Sequence, residues 1–472
     1  MTHQPTVIKL GDIAEVIARE FPARDMLTVY VGSNAATPTA SLDAITDALK
    51  AGWPKLPYLR MVHILLQGPL SYAEPGLQDR IMAFSIFSGS NVRSAANEGR
   101  AFYLPCTLAN LDSLIGKDKP YMPDVAIFKI RPHEVTGEYS LGLSVEALHT
   151  AIDHAKCVIA ELDTGMPFTQ GQSVVDASSL DYLVEDDVLP VYETPAPDFD
   201  HMPPAERRIG ELIATHFIRD GVTLQVGIGQ IPDAVIGTIR EAEFRDLGIQ
   251  TELYGDGLMM LQKHGIVTNR KKKQHMGYTT TSLIMGSRAL YDFVHLRAGI
   301  QMRPCTVTNA EEVIRRNGPF VSINTAMGVD LFGNVWADFV DVRHYYSGVG
   351  GQPDFVRALN DPVYGVPIIT MKSVTHKGDS KIARVHPPGV SLTASSYDGV
   401  VIVTEYGIAD LRGLTIGEKT LAVASIAHPR FRDEYLKAIR DDPMLTKPLR
   451  CPSRKLPRGV TLYQGSISLP EE

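Results

Sequence analysis

QVGIGQIPDAV (Gln225 to Val235), followed closely by LGIQTELYGDGLMMLQKHGIVTNRKKK (Leu247 to Lys273), is the part of this chain whose reading decides the fold. Val222 to Val226 is a short β-branched run and predicts a buried strand. Gly227-Ile228-Gly229 breaks it. Pro232 follows where the first turn of a helix tolerates proline, because no N–H donor is needed there. Ile231, Val235 and Ile239, each four residues apart, put one apolar stripe down that helix. Gly248 closes the helical region, and Ile249 to Leu253 reads as the next strand. The unit is strand, glycine turn, helix, strand, with Glu252 at the carboxyl end of its second strand. That is the edge at which open parallel sheets bind ligands. A carboxylate there can serve as nucleophile, base or solvated bystander, and spacing alone leaves the three open. The GxG alone is only a tight turn, since no third glycine follows at dinucleotide spacing.

Composition narrows the classes. At 472 residues the chain exceeds one ordinary core, so two domains are expected. Apolar content of 44% and charged content of 21% are those of a globular protein. A net charge of −8 is a mild acidic excess, which argues against a nucleic-acid partner. No basic, then apolar, leader opens the sequence and no apolar run approaches a membrane span, so a cytoplasmic location without a membrane partner is expected. Cys106, Cys157, Cys305 and Cys451 are far apart, form no C-x-x-C, and read as reduced thiols, mostly core. No H-E-x-x-H occurs among the 14 histidines, so no metal site is expected.

Along the first half, Ile13 to Phe21, Ser41 to Ala51 and Val145 to Ala155 have helical spacing. Leu27 to Val31, Met61 to Leu66, Ile81 to Phe87, Val125 to Ile130 and Cys157 to Leu162 read as strands. The alternation predicts an α/β fold with a mainly parallel open sheet. Glu193 to Glu206, ETPAPDFDHMPPAE, carries four prolines and reads as a linker. The rhythm then restarts with a helix at Ala205 to Arg219. Strands at Pro319 to Ala326, Val366 to Met371 and Gly399 to Thr404 follow, with helices near Gly417 to Ala427 and Asp433 to Arg440. The expectation is two tandem open α/β domains, 1–192 and 207–472, joined by 193–206, with the active site between them. The tail after Pro448 has no period and is expected to wrap the surface.

Ser347 to Phe355 reads SGVGGQPDF, three glycines in four positions. Such a stretch is either a flexible surface loop or chain stripped of Cβ atoms so that backbone N–H groups can approach a ligand oxygen. With it, a set of motifs in order runs through most of the chain. They are FSGSNVRSAANEGRAFYLP (Phe87 to Pro105), EYSLGLSVEALHTAIDHAKCVIAEL (Glu138 to Leu162), LQVGIGQIPDAV (Leu224 to Val235), TELYGDG (Thr251 to Gly257) and GIVTNRKK (Gly265 to Lys272). FVSINTAMGVDLFGNV (Phe320 to Val335), YSGVGGQPDFVR (Tyr346 to Arg357), VTEYGIADLRG (Val403 to Gly413) and IAHPRFRDE (Ile426 to Glu434) complete the set. On these residues the chain resembles the acetyl-CoA hydrolase/transferase family within the class I CoA-transferases, nearest the 4-hydroxybutyrate and butyrate CoA-transferases.

The resemblance implies a role for each matched residue. Glu252 matches the nucleophilic glutamate that carries acyl groups and then CoA as covalent esters. Gly227, Ile228, Gly229, Gln230 and Ile231 match the loop that lies along CoA. Gly350 and Gly351 match glycines whose amides face the reacting carbonyl, with Gly350 also at the CoA. Met327, in the INTAM turn, and Lys372 match further CoA-contact regions. No cofactor is permanently bound. Coenzyme A is substrate and passing covalent partner, short-chain carboxylates are the other substrates, and a homodimer is expected. The chain departs from the family at Met166-Pro167-Phe168-Thr169, where an arginine is usual third, at Gly328, where a glutamate is usual, and at Ser33-Asn34-Ala35-Ala36, which replaces a histidine-containing turn. These departures bear on the choice of acid. Hydrolysis by the same glutamate and a catalytically silent CoA-binding regulator are the alternatives. A nicotinamide-dependent dehydrogenase is disfavoured, because no G-x-G-x-x-G leads to an acidic strand end. The Arg270 to Lys273 run reads as a solvated basic face or a contact to CoA phosphates.

Overall fold

The computed structural model describes residues 4–53, 55–185, 188–446 and 457–463. In the first half, strands Thr6–Ile8, Tyr182–Val184, Cys157–Leu162, Val125–Pro132, Met26–Val31, Tyr58–His63, Ile81–Ser85 and Ala101–Tyr103 lie side by side in that order. Every pairing along this path is parallel. Residues 125–130 are buried without exception, which is why this strand is a continuous apolar run broken only by Lys129. Lys129 is neutralised in place by Glu161, 3.0 Å away, and Asp163, 3.3 Å away.

The second half holds a seven-stranded sheet in the order Gly248–Ile249, Thr223–Val226, Phe320–Thr325, Gly365–Thr370, Val401–Thr404, Gly407–Asp410 and Val460–Leu462. Its first five strands are parallel and its last two join antiparallel. From Thr223–Val226 the chain passes to a neighbour on one side, Gly248–Ile249, and later to a neighbour on the other, Phe320–Thr325. The strand order therefore reverses above Val226, and the crevice such a reversal opens is where α/β sheets take ligands. Gly227 to Gly229 sits at this point, followed by the helix Gln230–Glu241.

Several sequence expectations are revised. Ile249 to Leu253 is not one strand. Gly248–Ile249 belongs to the large sheet, whereas Leu253–Tyr254 pairs with Leu283–Ile284 in a separate two-stranded sheet. The chain is drawn off because the Glu252 carbonyl accepts three donors: Leu283 N–H at 2.8 Å, Ser282 N–H at 3.1 Å and Thr281 Oγ1 at 3.1 Å. The helix expected from Val145 begins at Leu148, after Glu146 takes a positive φ of 34°. The helix expected at Ala205 to Arg219 runs Pro204–Phe217, so the last residues of the proline-rich stretch form its first turn, with proline at its first positions. The segment read as tail supplies Val460–Leu462 to the edge of the sheet. Cys451 and most of that tail lie outside the described residues.

The halves are stitched together. Gln170–Gly171 of the first pairs with Ile300–Met302 of the second, and one apolar cluster runs from Tyr30 and Phe128 through Ile284 to Ile408. Among the described residues no helix is long and apolar enough to cross a membrane.

Candidate active site

Glu252 follows the Gly248–Ile249 strand by three residues at the carboxyl edge of the second sheet. The side chain as a whole is half-buried, but its Oε2 is sealed from water and bonds to no group among the described residues. A carboxylate oxygen left so is costly unless a ligand completes it. Burial pushes the Glu252 carboxyl up to about 7; a backbone hydrogen bond opposes the rise and the charge of Asp354 adds to it. A carboxyl protonated below that pH is no nucleophile. We therefore expect kcat/KM to climb about tenfold from pH 6 to a plateau above pH 8, reporting the free enzyme's group. A pH–rate profile that is flat between 5.5 and 8 would remove Glu252 from the rate.

The second glycine cluster meets this carboxylate. A methyl group built on Gly351 would stand 3.2 Å from both Cδ and Oε1 of Glu252 and would overlap Asn309 Nδ2. Only glycine leaves that space. Gly350 takes a φ of 60° and lies against the ring of Phe87, which a Cβ would approach to 3.3 Å. Phe87 follows the strand Ile81–Ser85, so the carboxyl edge of the first sheet faces that of the second. The contact is hydrogen-bonded as well: Leu108 N–H donates to the Gly350 carbonyl at 3.3 Å, and Val349 N–H to Tyr103 Oη at 3.1 Å. Because the peptide is planar and trans, fixing the Gly350 carbonyl also fixes the direction of the Gly351 N–H.

Gly227, Ile228 and Gly229 line a pocket of about 200 Å³ whose wall includes Leu253, Gly255, Asp256 and Met285 and not Glu252. The pocket therefore opens beside the residue after Glu252. Gln230 is exposed and Ile231 half-buried at the start of the next helix. Asp233, on the same helix, is pushed up to about 6 by burial and then by Asp256. Met327 and Lys372 each stand two residues beyond neighbouring strands, Phe320–Thr325 and Gly365–Thr370, on the same edge. Lys372 is held by Glu206, 3.1 Å away, and its side chain is 44% exposed. Gln352 Nε2 donates to the Thr325 carbonyl at 3.0 Å and ties the strand end before Met327 to the glycine turn.

Of the basic run, Arg270, Lys271 and Lys273 are exposed, as a solvated face requires, and Lys272 is not. Lys272 is fully buried and donates to the carbonyls of Ile249 and Tyr278 and to Thr280 Oγ1. It braces the strand ends from within and is no part of a solvated face. Two site residues escaped the sequence: Asn309, in a short connector without motif, and Asp354, which stands inside the quoted GGQPDF but carries no role there by spacing. Among the described residues no cluster of three or more His, Cys, Asp or Glu could hold a metal ion.

Residues 66–193 match the acetyl-CoA hydrolase/transferase N-terminal domain, and residues 286–439 match its C-terminal domain. A 4-hydroxybutyrate coenzyme A transferase of Clostridium kluyveri is 37% identical over 385 residues, 81% of this chain and 87% of that protein. The chain belongs to the acetyl-CoA hydrolase/transferase family. Solved structures of family size agree. RipA from Yersinia pestis superposes with a TM-score of 0.81 at 27% identity, over 92% of this chain and 97% of that one. A 4-hydroxybutyrate CoA-transferase from Porphyromonas gingivalis gives 0.71 at 29% identity with the same coverage. Glu252 and the Gly227–Gly229 loop fall between the two matched family segments.

Proposed function

We propose that this enzyme, a CoA-transferase by its family, moves CoA between short-chain carboxylic acids, of the 4-hydroxybutyryl-CoA or butyryl-CoA and acetate type, through a covalent glutamyl-CoA on Glu252. The observation that carries this reading is the sealed, unbonded Oε2 of Glu252 beside a glycine with no room for a side chain.

Free carboxylate attacks a thioester poorly in water, and a carboxylate nucleophile divides the transfer into easier steps. Glu252 attacks the acyl-CoA carbonyl, expelling CoA thiolate and forming an acyl-glutamyl anhydride. The thiolate attacks the glutamyl carbonyl, breaking the anhydride and releasing the first acid as its carboxylate. Glutamyl-CoA remains. The incoming carboxylate attacks it, re-forming an anhydride and thiolate, and the thiolate then takes the new acyl group and frees Glu252. Each tetrahedral intermediate bears an oxyanion. The backbone N–H groups of Gly350 and Gly351 and the Asn309 amide are the neutral donors we assign to it. The loop from Gly227 to Ile231, with Met327 and Lys372 further along the edge, is the surface we assign to CoA. Contacts along that long ligand, far from the sulfur, can be turned to barrier lowering.

Incubation with acyl-CoA and no acceptor should add the mass of CoA to the peptide spanning Leu247 to Lys263, as read by mass spectrometry after rapid quench. Initial-rate plots against donor and acceptor should run parallel. Release of free thiol without acceptor acid, at the rate seen with it, would reassign the chain as a hydrolase. Absence of the adduct together with intersecting lines would leave Glu252 without its covalent role.

A further inference from the structure

Among the described residues, Asp354 is the acidic side chain whose charge raises the Glu252 carboxyl. It sits on the helix Gln352–Ala358, three residues after Gly351, and is itself buried. A buried carboxylate beside another is unfavourable unless hydrogen bonds hold it. Here they do. Its Oδ2 accepts the Ala109 N–H at 3.0 Å and Asn309 Nδ2 at 3.2 Å. Asn309 Oδ1 in turn accepts from Thr308 Oγ1 at 2.8 Å, so both ends of that amide are committed and it cannot turn over. The Nδ2 end is the one beside Gly351 and hence Glu252. Ala109 belongs to the first half, next to Leu108, whose N–H fixes the Gly350 peptide.

We propose that Asp354 is a positioning residue for the transfer: one carboxylate oxygen aims the Asn309 amide at the reacting carbonyl and anchors the Leu108–Ala109 loop that sets the glycine turn. The proposal rests on Glu252 being the nucleophile. Asp354 never touches substrate in this scheme. It works by holding two sets of neutral donors, one from each half, in register around one oxyanion. Its charge is a second contribution, since a carboxylate near Glu252 makes it the more basic attacker. Of the other titratable groups nearby, Cys305 is held as neutral thiol by burial, and Arg357 offsets Asp354 from its own helix.

The test is a set of variants assayed for kcat, KM and pH profile, with thermal melting as the check on folding. Asp354→Ala removes both acceptor and charge, and should lower kcat about 30-fold while the KM for acyl-CoA moves less than about threefold. That loss is below the ~10²–10³ typical of losing an oxyanion donor itself. Asp354→Asn keeps an acceptor oxygen, and should recover at least about tenfold of the lost kcat while moving the acid limb of kcat/KM to lower pH. Adding Asp354→Ala to Asn309→Ala should cost clearly less kcat than Asp354→Ala costs in the wild type, because part of the Asp354 effect runs through Asn309. Multiplicative losses in the double variant would overturn the proposal. So would a KM effect at unchanged kcat, or a near wild-type Asp354→Ala. If Asp354→Ala does not fold, Asp354→Asn decides, and an unmoved acid limb refutes the electrostatic half. The CoA adduct on the wild-type Leu247–Lys263 peptide keeps the two levels apart: its absence sinks the nucleophile, whereas its presence with independent Asp354 and Asn309 effects sinks only this proposal.

Discussion

Glu252→Gln should leave a folded enzyme whose kcat is down by about 10⁴-fold or more, the order of loss that follows removal of a covalent nucleophile. The carboxamide has the shape of the carboxylate, and among the described residues Oε2 has no hydrogen bond to lose. The Glu252 main chain, not its side chain, carries the structural bonds: its carbonyl takes three donors from residues 281–283. Melting temperature should therefore stay within a few degrees of wild type. KM for acyl-CoA should change little, since the ligand's bulk lies along other residues. A variant retaining turnover within tenfold of wild type would sink the assignment. The CoA-bearing Leu247–Lys263 peptide should vanish with the activity, which separates a lost nucleophile from a lost fold.

The α/β architecture was legible because buried parallel strands are apolar runs and their helices carry one stripe. Val125 to Ile130 and Val222 to Val226 were read within a residue or two of their observed bounds. What escaped was decided by partners remote in sequence. Ile249 to Leu253 has the composition of one strand, and it is cut because the Glu252 carbonyl is captured 29 residues downstream by Thr281. Lys272 looks solvated by its charged neighbours, yet it is buried against three oxygens from Ile249, Tyr278 and Thr280, and burial pulls its amine down to about 7. Asn309 has no local signature at all. Its place depends on Asp354, 45 residues away, and on a loop of the other half.

The three departures from the family separate in the same way. A side chain at Gly328 would run into the indole of Trp336, so glycine there is a packing requirement. Phe168 is buried edge-on against His133, with ring centroids 4.8 Å apart, and its N–H donates to His295 Nδ1 at 3.0 Å. Ser33 is different. It stands two residues beyond the Met26–Val31 strand, on the edge facing the site, and its N–H and hydroxyl both bind Glu146. The Glu146 carbonyl accepts the Cys305 N–H at 2.8 Å, four residues before Asn309. This turn is joined by hydrogen bonds, through Glu146, to the segment Cys305–Thr308 that precedes Asn309.

Gly351→Ala is the second substitution expected to act strongly, and it acts on kcat. The new methyl would overlap Asn309 Nδ2 and crowd the Glu252 carboxylate at 3.2 Å. Asn309 cannot yield cheaply, being bonded at both ends, so the strain falls on the Glu252 carboxylate, which would have to turn out of its place. The tetrahedral oxyanion would have to form in the volume the methyl occupies. Loss of one such donor costs about 3–4 kcal/mol of barrier, so kcat should fall about 10²–10³-fold with KM changed far less. Gly229→Ala is the matching control. Among the described residues nothing lies within 4 Å of a Cβ there, but the residue's φ of 117° strains any side chain, so the loop itself would shift. That loop borders the 200 Å³ pocket, whose wall does not include Glu252, so KM for acyl-CoA should rise while kcat is largely kept. Steady-state kinetics on the two variants side by side discriminates the roles. Were Gly229→Ala to lose kcat and Gly351→Ala to lose only affinity, the reacting carbonyl would belong at the first glycine loop, and the geometry around Glu252 would need a different chemistry.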